Sequence, residues 1–288
     1  METSPAPDGP ALPKILDLSV PIDPAAWEPD VVKRRYINHR QGADLLGQAF
    51  AYASKKGWLG RLRARLQQLL GLGIDHRDFP GGKGLSLMHY QLTTHTGTHM
   101  DAPFHYGDVD VKGRAARTIC EVPLEWCLSD GIVLDLRGQR GAPQSGPVDE
   151  LEVKAALRRI DYQLKPFDIV LLRTGGDEFL GRPEYVQRFR GVTRSATQYL
   201  VESGVKVIGI DSFGFDAPFL NMLTEYKRTG SPSCLWPAHL YGREREYCQL
   251  ERLTNLGSLD RPHGFKVACF PVKLARADAA WCRVVAIL

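Results

Sequence analysis

The chain has no long apolar run near its start. Residues 1–14 contain four prolines and lack the apolar core that a signal peptide or a membrane anchor requires. Chain termini of this composition are commonly disordered. We therefore expect residues 1–14 to be a disordered tail, the protein to be cytoplasmic, and its partners to include no membrane.

Cysteine is sparse and shows no recognisable spacing. The six cysteines form no C-x-x-C pair, and several lie in apolar stretches such as residues 267–270. This pattern is typical of buried thiols in a reducing compartment rather than of a disulfide scaffold.

Charge and motifs also exclude some classes of function. The chain has 37 Lys+Arg against 33 Asp+Glu, and this small, dispersed excess comes with no DNA- or RNA-binding motif, so we expect no nucleic-acid partner. It has no Gly-x-Ser-x-Gly motif for a serine nucleophile. No internal repeat or linker interrupts it, and 43% of its residues are apolar. These features predict one domain over residues 15–288 with a substantial core.

The most informative stretch present is residues 95–105, which place three histidines and an aspartate within eleven residues. A helix, at about 100° per residue, would scatter these four side chains around its circumference. Gly97 and Pro103 also favour an extended chain, in which His95, His99, Asp101 and His105 would project from one face. The spacing therefore predicts one extended segment that presents all four side chains.

This set of side chains indicates a metal site. Two neutral imidazoles and a carboxylate suit zinc, manganese or ferrous iron, and the lack of a nearby cysteine favours an open catalytic site over a closed structural one. Histidines also commonly satisfy backbone groups, so each of them taken alone is equally consistent with a structural role. Spacing does not separate His105 from the other three.

The stretch resembles the signature of the metal-dependent cyclase family, His-x-Gly-Thr-His-x-Asp-x-Pro-x-His, and matches every fixed position. This family includes bacterial kynurenine formamidase and isatin hydrolase. The resemblance implies that His95, His99 and Asp101 bind one metal ion and that Asp101 bridges to a second. It also implies that His105 is the catalytic acid/base.

The resemblance extends to the later part of the chain. Residues 251–256 match the pattern Glu-x-Leu-x-Asn-Leu, which a histidine precedes by twelve residues. The family pattern implies that His239 binds the second metal and that Glu251 contacts both. One departure lies at Gly214, where the family commonly has serine between two aspartates, here Asp211 and Asp216. Those two aspartates are better explained as structural carboxylates than as catalytic ones.

The resemblance also implies the fold, an α/β, single-domain swivelling β/β/α fold of the cyclase and kynurenine formamidase type. Periodicity predicts alternating elements through the middle of the chain: strands at residues 131–136, 168–172 and 205–211, and helices at 148–160 and 193–202. It also predicts an edge strand at 15–22, a strand at 85–94 that delivers the histidine motif, and closing strands at 265–274 and 283–287.

Residues 28–84 depart from the family pattern and are interpreted as a helical insertion. Leucines recur at helical spacing from Leu59 to Leu70, within a basic stretch. Such a helix could touch a membrane or an acidic partner, but packing on its own subunit or on a sister subunit is the commoner arrangement. With the oligomeric state of the family, the leucines predict a homodimer or a higher homo-oligomer.

These observations predict a metal-dependent hydrolase. A divalent metal lowers the pKa of bound water to roughly 7, and His105 would give and take the proton that a leaving amine needs. The resemblance favours cleavage of an amide-type C–N bond in a formamide or cyclic amide, as in tryptophan catabolism, with Zn²⁺ favoured over Mn²⁺ or Fe²⁺ and two ions per subunit. The alternatives are a cyclase of secondary metabolism and a non-catalytic binding protein.

Overall fold

In a computed structural model of the protein, the structure describes residues 13–53, 57–138 and 146–288. Residues 1–12 of the predicted disordered tail lie outside the described residues. The chain forms two compact units, one made of residues up to Asp30 together with Thr93–Leu288 and the other of Val31–Leu92. Compactness does not decide whether the units fold independently, so a single domain over residues 15–288 stays a prediction.

The larger unit is built on a nine-stranded mixed sheet. Its strand order is β1-β11-β9-β5-β6-β7-β8-β4-β10, with parallel pairing from β5 to β8 and antiparallel pairing elsewhere. The strands are β1 (Ile15–Asp17), β4 (His99–Asp101), β5 (Leu128–Asp135), β6 (Ile169–Arg173), β7 (Val207–Ile210), β8 (Cys248–Glu251), β9 (Phe265–Ala268), β10 (Ala279–Trp281) and β11 (Val285–Ile287).

Apolar side chains cover both faces of this sheet. Along β6 the alternate residues Ile169 and Leu171 belong to one core cluster, and Val170 and Leu172 belong to another. The strand therefore reads as a continuous apolar run, which is typical of a parallel strand buried on both faces. The helices of this unit are α3 (Pro103–Tyr106), α4 (Glu150–Arg159), α5 (Arg194–Glu202), α6 (Phe219–Thr229) and α7 (Pro237–Tyr241).

Most of the predicted elements of this unit are present. The strands and helices predicted between residues 131 and 211 correspond to β5, α4, β6, α5 and β7, and the Thr193 side chain caps α5 by accepting a hydrogen bond from the Ala196 amide. Strand β1 lies at a sheet edge, as predicted. The short strands β4, β8 and β10 and the short helix α7 were not predicted, because short segments carry little periodicity. Helix α6 was not predicted either, although it is longer than α4 and α5.

The prediction of one extended segment over residues 95–105 is wrong. The chain turns at Gly97, whose φ is +65°, is a strand only at His99–Asp101, and enters α3 at Pro103. Proline suits the first position of a helix because its fixed φ is helical and its missing N–H has no partner there. The four side chains therefore reach one site by a turn, a strand and a helical turn rather than by shared parity.

The smaller unit contains β2 (Lys33–Ile37) and β3 (Leu87–Gln91), which pair antiparallel, and the helices α1 (His39–Ala53) and α2 (Gly57–Leu69). Helical structure was predicted here, and β3 lies within the strand predicted at 85–94. However, β3 pairs with β2 and is not part of the large sheet.

The predicted leucine stripe lies on α2 and just beyond it. The side chains of Leu59, Leu62, Leu66, Leu69 and Leu70 are all exposed. These side chains therefore leave an apolar stripe at the surface of the smaller unit. Within those residues, no helix is both long and apolar enough to cross a membrane.

Candidate metal centre

Three adjacent strands bring together the first part of the site. Strand β4 lies between β8 and β10, and its register places His99 directly opposite Glu251. Facing residues of paired strands project from the same side of a sheet. An imidazole and a carboxylate separated by about 150 residues of chain therefore become neighbours through sheet pairing.

The turn before β4 and the helix after it bring in the other two histidines of the motif. Gly97 adopts a left-handed conformation, and a Cβ at this position would lie 3.0 Å from Ile22 Cγ1. This conformation turns the chain so that His95 returns toward the strand. After β4, α3 carries His105, whose ring centroid lies 4.4 Å from that of His95.

The fourth histidine comes from the start of α7. His239 follows Pro237, and the Asp216 carboxylate accepts hydrogen bonds from the backbone amides of Ala238 and His239. The same carboxylate accepts a hydrogen bond of 2.6 Å from His239 Nδ1. Asp216, expected to be structural, thus fixes the orientation of a site imidazole.

The motif side chains surround one oxygen of Asp101. Asp101 Oδ1 lies 3.0 Å from His95 Nδ1 and 3.4 Å from His99 Nε2. His99 Nε2 is in turn 3.6 Å from Glu251 Oε2. Two imidazole nitrogens and two carboxylate oxygens therefore converge on one candidate position for a metal ion.

The other oxygens of the same carboxylates face His239. His239 Nε2 lies 4.0 Å from Asp101 Oδ2 and 3.8 Å from Glu251 Oε1. Asp101 and Glu251 thus each present one oxygen toward His99 and the other toward His239. The two carboxylates therefore offer oxygen donors at two adjacent positions, and carboxylate oxygens are ligands for divalent metals.

The donor atoms fit a divalent cation. Bonds of about 2.0–2.2 Å, with angles near 90–110° at the metal, separate ligand atoms by about 3.0–3.5 Å, close to the distances around Asp101 Oδ1. His99 Nε2 and both Asp101 carboxylate oxygens are buried and have no hydrogen-bond partner within the described chain. Buried polar atoms without a partner are costly, and a bound cation would satisfy all three.

The imidazoles of His95, His99 and His239 are each held by a hydrogen bond from the ring nitrogen that faces away from the cluster. His99 Nδ1 donates to the Gly97 carbonyl at 2.8 Å, His95 Nε2 donates to Asp278 at 3.0 Å, and His239 Nδ1 donates to Asp216. Metal-binding histidines usually have such an outer partner, which fixes the tautomer and the ring orientation.

In the metal-free site, burial and neighbouring charges shift the pKa values of the side chains in different directions. Burial alone lowers the pKa of His95, but the adjacent carboxylates of Asp101 and Asp278 raise it to about 9. Complete burial lowers the pKa of His99 to about 4. Burial and the nearby Asp101 charge raise the pKa of Glu251 to about 7. A cation therefore has to displace protons from His95 and Glu251.

His105 lies at the mouth of this cluster and is partly exposed. Its Nδ1 is 3.5 Å from Asp278 Oδ2. One ring nitrogen also lies within 4.8 Å of ligand atoms of His95 and Asp101. Burial lowers the pKa of His105, so its imidazole is neutral near pH 7 and can accept a proton.

Asp278 is the site residue that the sequence did not reveal. It lies just before β10, roughly 170 residues after the histidine motif. Its carboxylate contacts both His95 and His105. A single aspartate between two short strands has no periodicity or motif that would single it out, and only its position opposite β4 gives it a role.

A cavity of about 460 Å³ opens onto the four histidines. Aromatic side chains and Arg252 line much of it, and the Arg252 guanidinium is paired with Glu28 and lies over the Phe213 ring. A Cβ at Gly214 would meet only Phe189 Cζ, at 3.8 Å, so this wall has room for a side chain that glycine lacks. The aromatic residues are Phe189, Phe213, Phe215, Phe219 and Trp236.

Asp211 does not belong to this cluster. Its carboxylate accepts hydrogen bonds from the Thr174 amide and hydroxyl and from the Gly175 amide. It ties the end of β6 to the end of β7. This is the structural role expected for it.

The α/β fold and this carboxylate-imidazole centre are those of a metal-binding protein of the enzyme class. A family model, Cyclase, described as "Putative cyclase", matches residues 16–217. The chain is 28% identical to kynurenine formamidase of Geobacillus thermodenitrificans over 191 residues, 66% of this chain and 74% of that protein.

Solved structures agree in fold. Isatin hydrolase A from Ralstonia solanacearum superposes with a TM-score of 0.68 at 18% identity, covering 96% of this chain and 92% of that one. A protein described as a potential metal-dependent hydrolase with cyclase activity gives a TM-score of 0.54 at 18% identity, covering 95% and 96%.

The chain belongs to the cyclase family, and it is an enzyme. The predicted family and α/β fold type are confirmed.

Proposed function

We propose that the protein hydrolyses an amide-type C–N bond in a formamide or a cyclic amide. The observation that carries this proposal is the placement of Asp101 and Glu251, each with one oxygen toward His99 and the other toward His239. Such a centre, with a neutral histidine at its mouth, suits metal-assisted hydrolysis. The relatedness to kynurenine formamidase supports the choice of a C–N bond.

The ligands we assign are His95, His99, Asp101, His239 and Glu251, with Zn²⁺ favoured over Mn²⁺ or Fe²⁺ and two ions per subunit. A divalent cation supplies Lewis acidity, which lowers the pKa of water to roughly 7 and polarises a carbonyl oxygen. His105 is neutral and reaches the mouth of the cavity, so it takes a proton from water and returns it to the leaving nitrogen.

The cavity supports an aryl-bearing substrate. Its five aromatic side chains offer flat apolar surfaces, and paired rings gain about 0.5–1.5 kcal/mol beyond burial alone. The test is to assay metal-loaded protein on N-formylkynurenine, isatin and simple aryl formamides. Phe189→Ala should raise KM for aryl formamides more than for formamide itself. Hydrolysis of none of these compounds by fully loaded protein would contradict the proposal.

One observation favours a cyclase acting on a secondary metabolite as the second candidate. Gly214 leaves room beside Phe189, which would accommodate a bulkier substrate than an aryl formamide. Gly214→Ser would narrow this wall. If the serine variant hydrolyses aryl amides faster than the wild type does, the native substrate is larger, and the cyclase becomes the better explanation.

Metal binding should release protons, because His95 with a pKa of about 9 and Glu251 with a pKa of about 7 hold protons that a cation displaces. Both pKa values are raised, so the apparent affinity should increase with pH up to about 9. At pH 7.5 we expect roughly one proton released per chain. Titration calorimetry in PIPES and in HEPES, which bind metals weakly and differ in ionisation enthalpy, measures this number. Equal heats in the two buffers would contradict the prediction.

We propose a homodimer as the assembly, with the exposed leucines of α2 on the contact surface. Exposed apolar stripes of this kind usually mark an interaction surface. Light scattering at micromolar concentration should give twice the monomer mass. The double variant Leu62→Asp/Leu66→Asp should be monomeric, whereas Gln67→Asp on the same helix should not. A monomeric wild type would refute the assignment.

We propose a cytoplasmic location. All six cysteines are free thiols, and four of them, Cys127, Cys248, Cys269 and Cys282, are buried, so the fold uses no disulfide. Fractionation of cells that produce the native protein tests this, and recovery outside the cytoplasm would contradict it.

A further inference from the structure

Asp278 lies beside the metal centre but belongs to none of the sequence motifs. It directly precedes β10, and its backbone carbonyl accepts a hydrogen bond of 2.9 Å from the Ala102 amide. Its main chain is therefore fixed against the strand that carries His99 and Asp101.

The two carboxylate oxygens of Asp278 have different partners. Oδ1 accepts hydrogen bonds from the Thr94 hydroxyl at 3.0 Å and from the Ala279 amide at 2.9 Å. Oδ2 accepts from His95 Nε2 at 3.0 Å and lies 3.5 Å from His105 Nδ1. The donors on Oδ1 hold the carboxylate so that Oδ2 faces both imidazoles.

With a cation on the Asp101 side of the ring, this geometry fixes where the proton of a neutral His95 lies. Asp278 and Asp101 both only accept hydrogen bonds, so a cation between His95 Nδ1 and Asp101 leaves the proton on Nε2, where Asp278 accepts it, and the lone pair on Nδ1. His95 Nδ1 is the atom that lies 3.0 Å from Asp101 Oδ1, on the side of the proposed metal. The tautomer that Asp278 selects is the one that can bind a cation.

We propose that Asp278 is a positioning residue that sets the tautomer of His95 for metal binding and orients the His105 ring. The proposal rests on the proposed metal centre. It assigns Asp278 no contact with substrate. Its effect on turnover passes through the two imidazoles.

The variant Asp278→Asn provides a sharp test. The introduced amide would keep its carbonyl oxygen where Ala279 donates, because the opposite rotation would set an NH₂ group against that backbone amide. The NH₂ group would then face His95 Nε2 and donate to it. The His95 proton would have to move to Nδ1, where it blocks the metal-facing lone pair.

Alanine at the same position should do less harm. Asp278→Ala removes the acceptor without imposing the wrong tautomer, and the side chain is 37% exposed, so water can take its place. We therefore expect Asp278→Asn to weaken metal binding by about 10–100-fold, the usual effect of losing an outer partner, and Asp278→Ala to weaken it less. A merely structural aspartate would give the opposite order, since asparagine is the closer replacement in shape.

Two measurements that need no substrate test the proposed role of Asp278. The first is the metal dissociation constant, from competition with a chelator, for the wild type, both variants and the matched control Asp260→Asn at an exposed aspartate. The second is ¹⁵N NMR of histidine-labelled protein with saturating Zn²⁺, with the His95 signal assigned by its loss in His95→Gln. The wild type should carry the His95 proton on Nε2, whereas Asp278→Asn should carry it on Nδ1.

The outcomes separate this inference from the proposed function. Weaker metal binding in Asp278→Asn than in Asp278→Ala, with the tautomer change, supports the inference even if no amide is hydrolysed. Equal effects in the two variants, the reverse order, or an unchanged His95 tautomer overturns it. Circular dichroism and thermal melts confirm that the variants compared are folded.

Discussion

His105→Ala should retain close to normal metal content and lose turnover by about 10²–10⁴-fold, the usual contribution of a general acid/base. The residue touches the cluster only from its mouth, and three other imidazoles and two carboxylates remain to hold metal. Without His105 the departing nitrogen leaves unprotonated. Elemental analysis and kcat on the best aryl amide substrate measure the two effects separately.

The matched control for this prediction is His263→Ala. His263 packs against the Tyr162 ring and is not among the described residues that line the cavity. Its loss should leave both metal content and kcat nearly unchanged. If His105→Ala loses metal in parallel with activity, His105 is a ligand. If it keeps both, another group carries the proton, and the mechanism fails at its central step.

His99→Ala and Glu251→Ala should each lose most of the bound metal and, with it, all measurable turnover. His99 Nε2 faces both carboxylates, and Glu251 presents oxygens to both positions, so each replacement removes a central ligand. Elemental analysis after dialysis measures the loss. Full metal retention in both variants would exclude the assigned ligand set.

Glu251→Gln adds a stability test of the same assignment. Glutamine can still accept the 2.7 Å hydrogen bond from the Phe215 amide but carries no charge beside Asp101. The pKa of Glu251 is raised from 4.5 to about 7, so ionising it costs stability as pH rises from about 4.5 through 7. Metal-free Glu251→Gln should therefore melt several degrees higher than metal-free wild type at pH 8, but not at pH 4.

Glu251 is proposed to be needed for function, yet its charge should destabilise the metal-free fold. This combination is expected of a metal ligand. Ligands have to be brought together before the cation that offsets their repulsion is present. If Glu251→Gln melts lower than the wild type at pH 8 without metal, the carboxylates are not close enough to repel. The two-position geometry would then be wrong.

The buried strands and the helices α4 and α5 of the larger unit were predicted well because their sequences carry the signal locally. The apolar run from Ile169 to Leu172 and the capped helix after Thr193 need no information from elsewhere in the chain. The same kind of reasoning failed for residues 95–105. A three-residue strand followed by a single helical turn is too short for periodicity to report.

The site shows a similar division. The motif from His95 to His105 predicted a metal centre by composition and spacing alone. The structure does bring its four side chains together. His239 and Glu251 were found only through a resemblance, since an isolated histidine or glutamate carries no local signal. Asp278 was missed altogether.

The sequence by itself therefore determined the class of chemistry, because imidazoles and a carboxylate without thiols define the donor set whatever the fold. It also determined those strands and helices whose hydrophobic periodicity and capping residues lie within a single segment of the chain. Tertiary structure alone decided which carboxylate oxygen faces which imidazole and that Asp278 holds His95. The physical reason is that these contacts arise from the pairing of β4 with β8 and β10, across about 150 and 180 residues of chain, and strand register is a property of the assembled sheet.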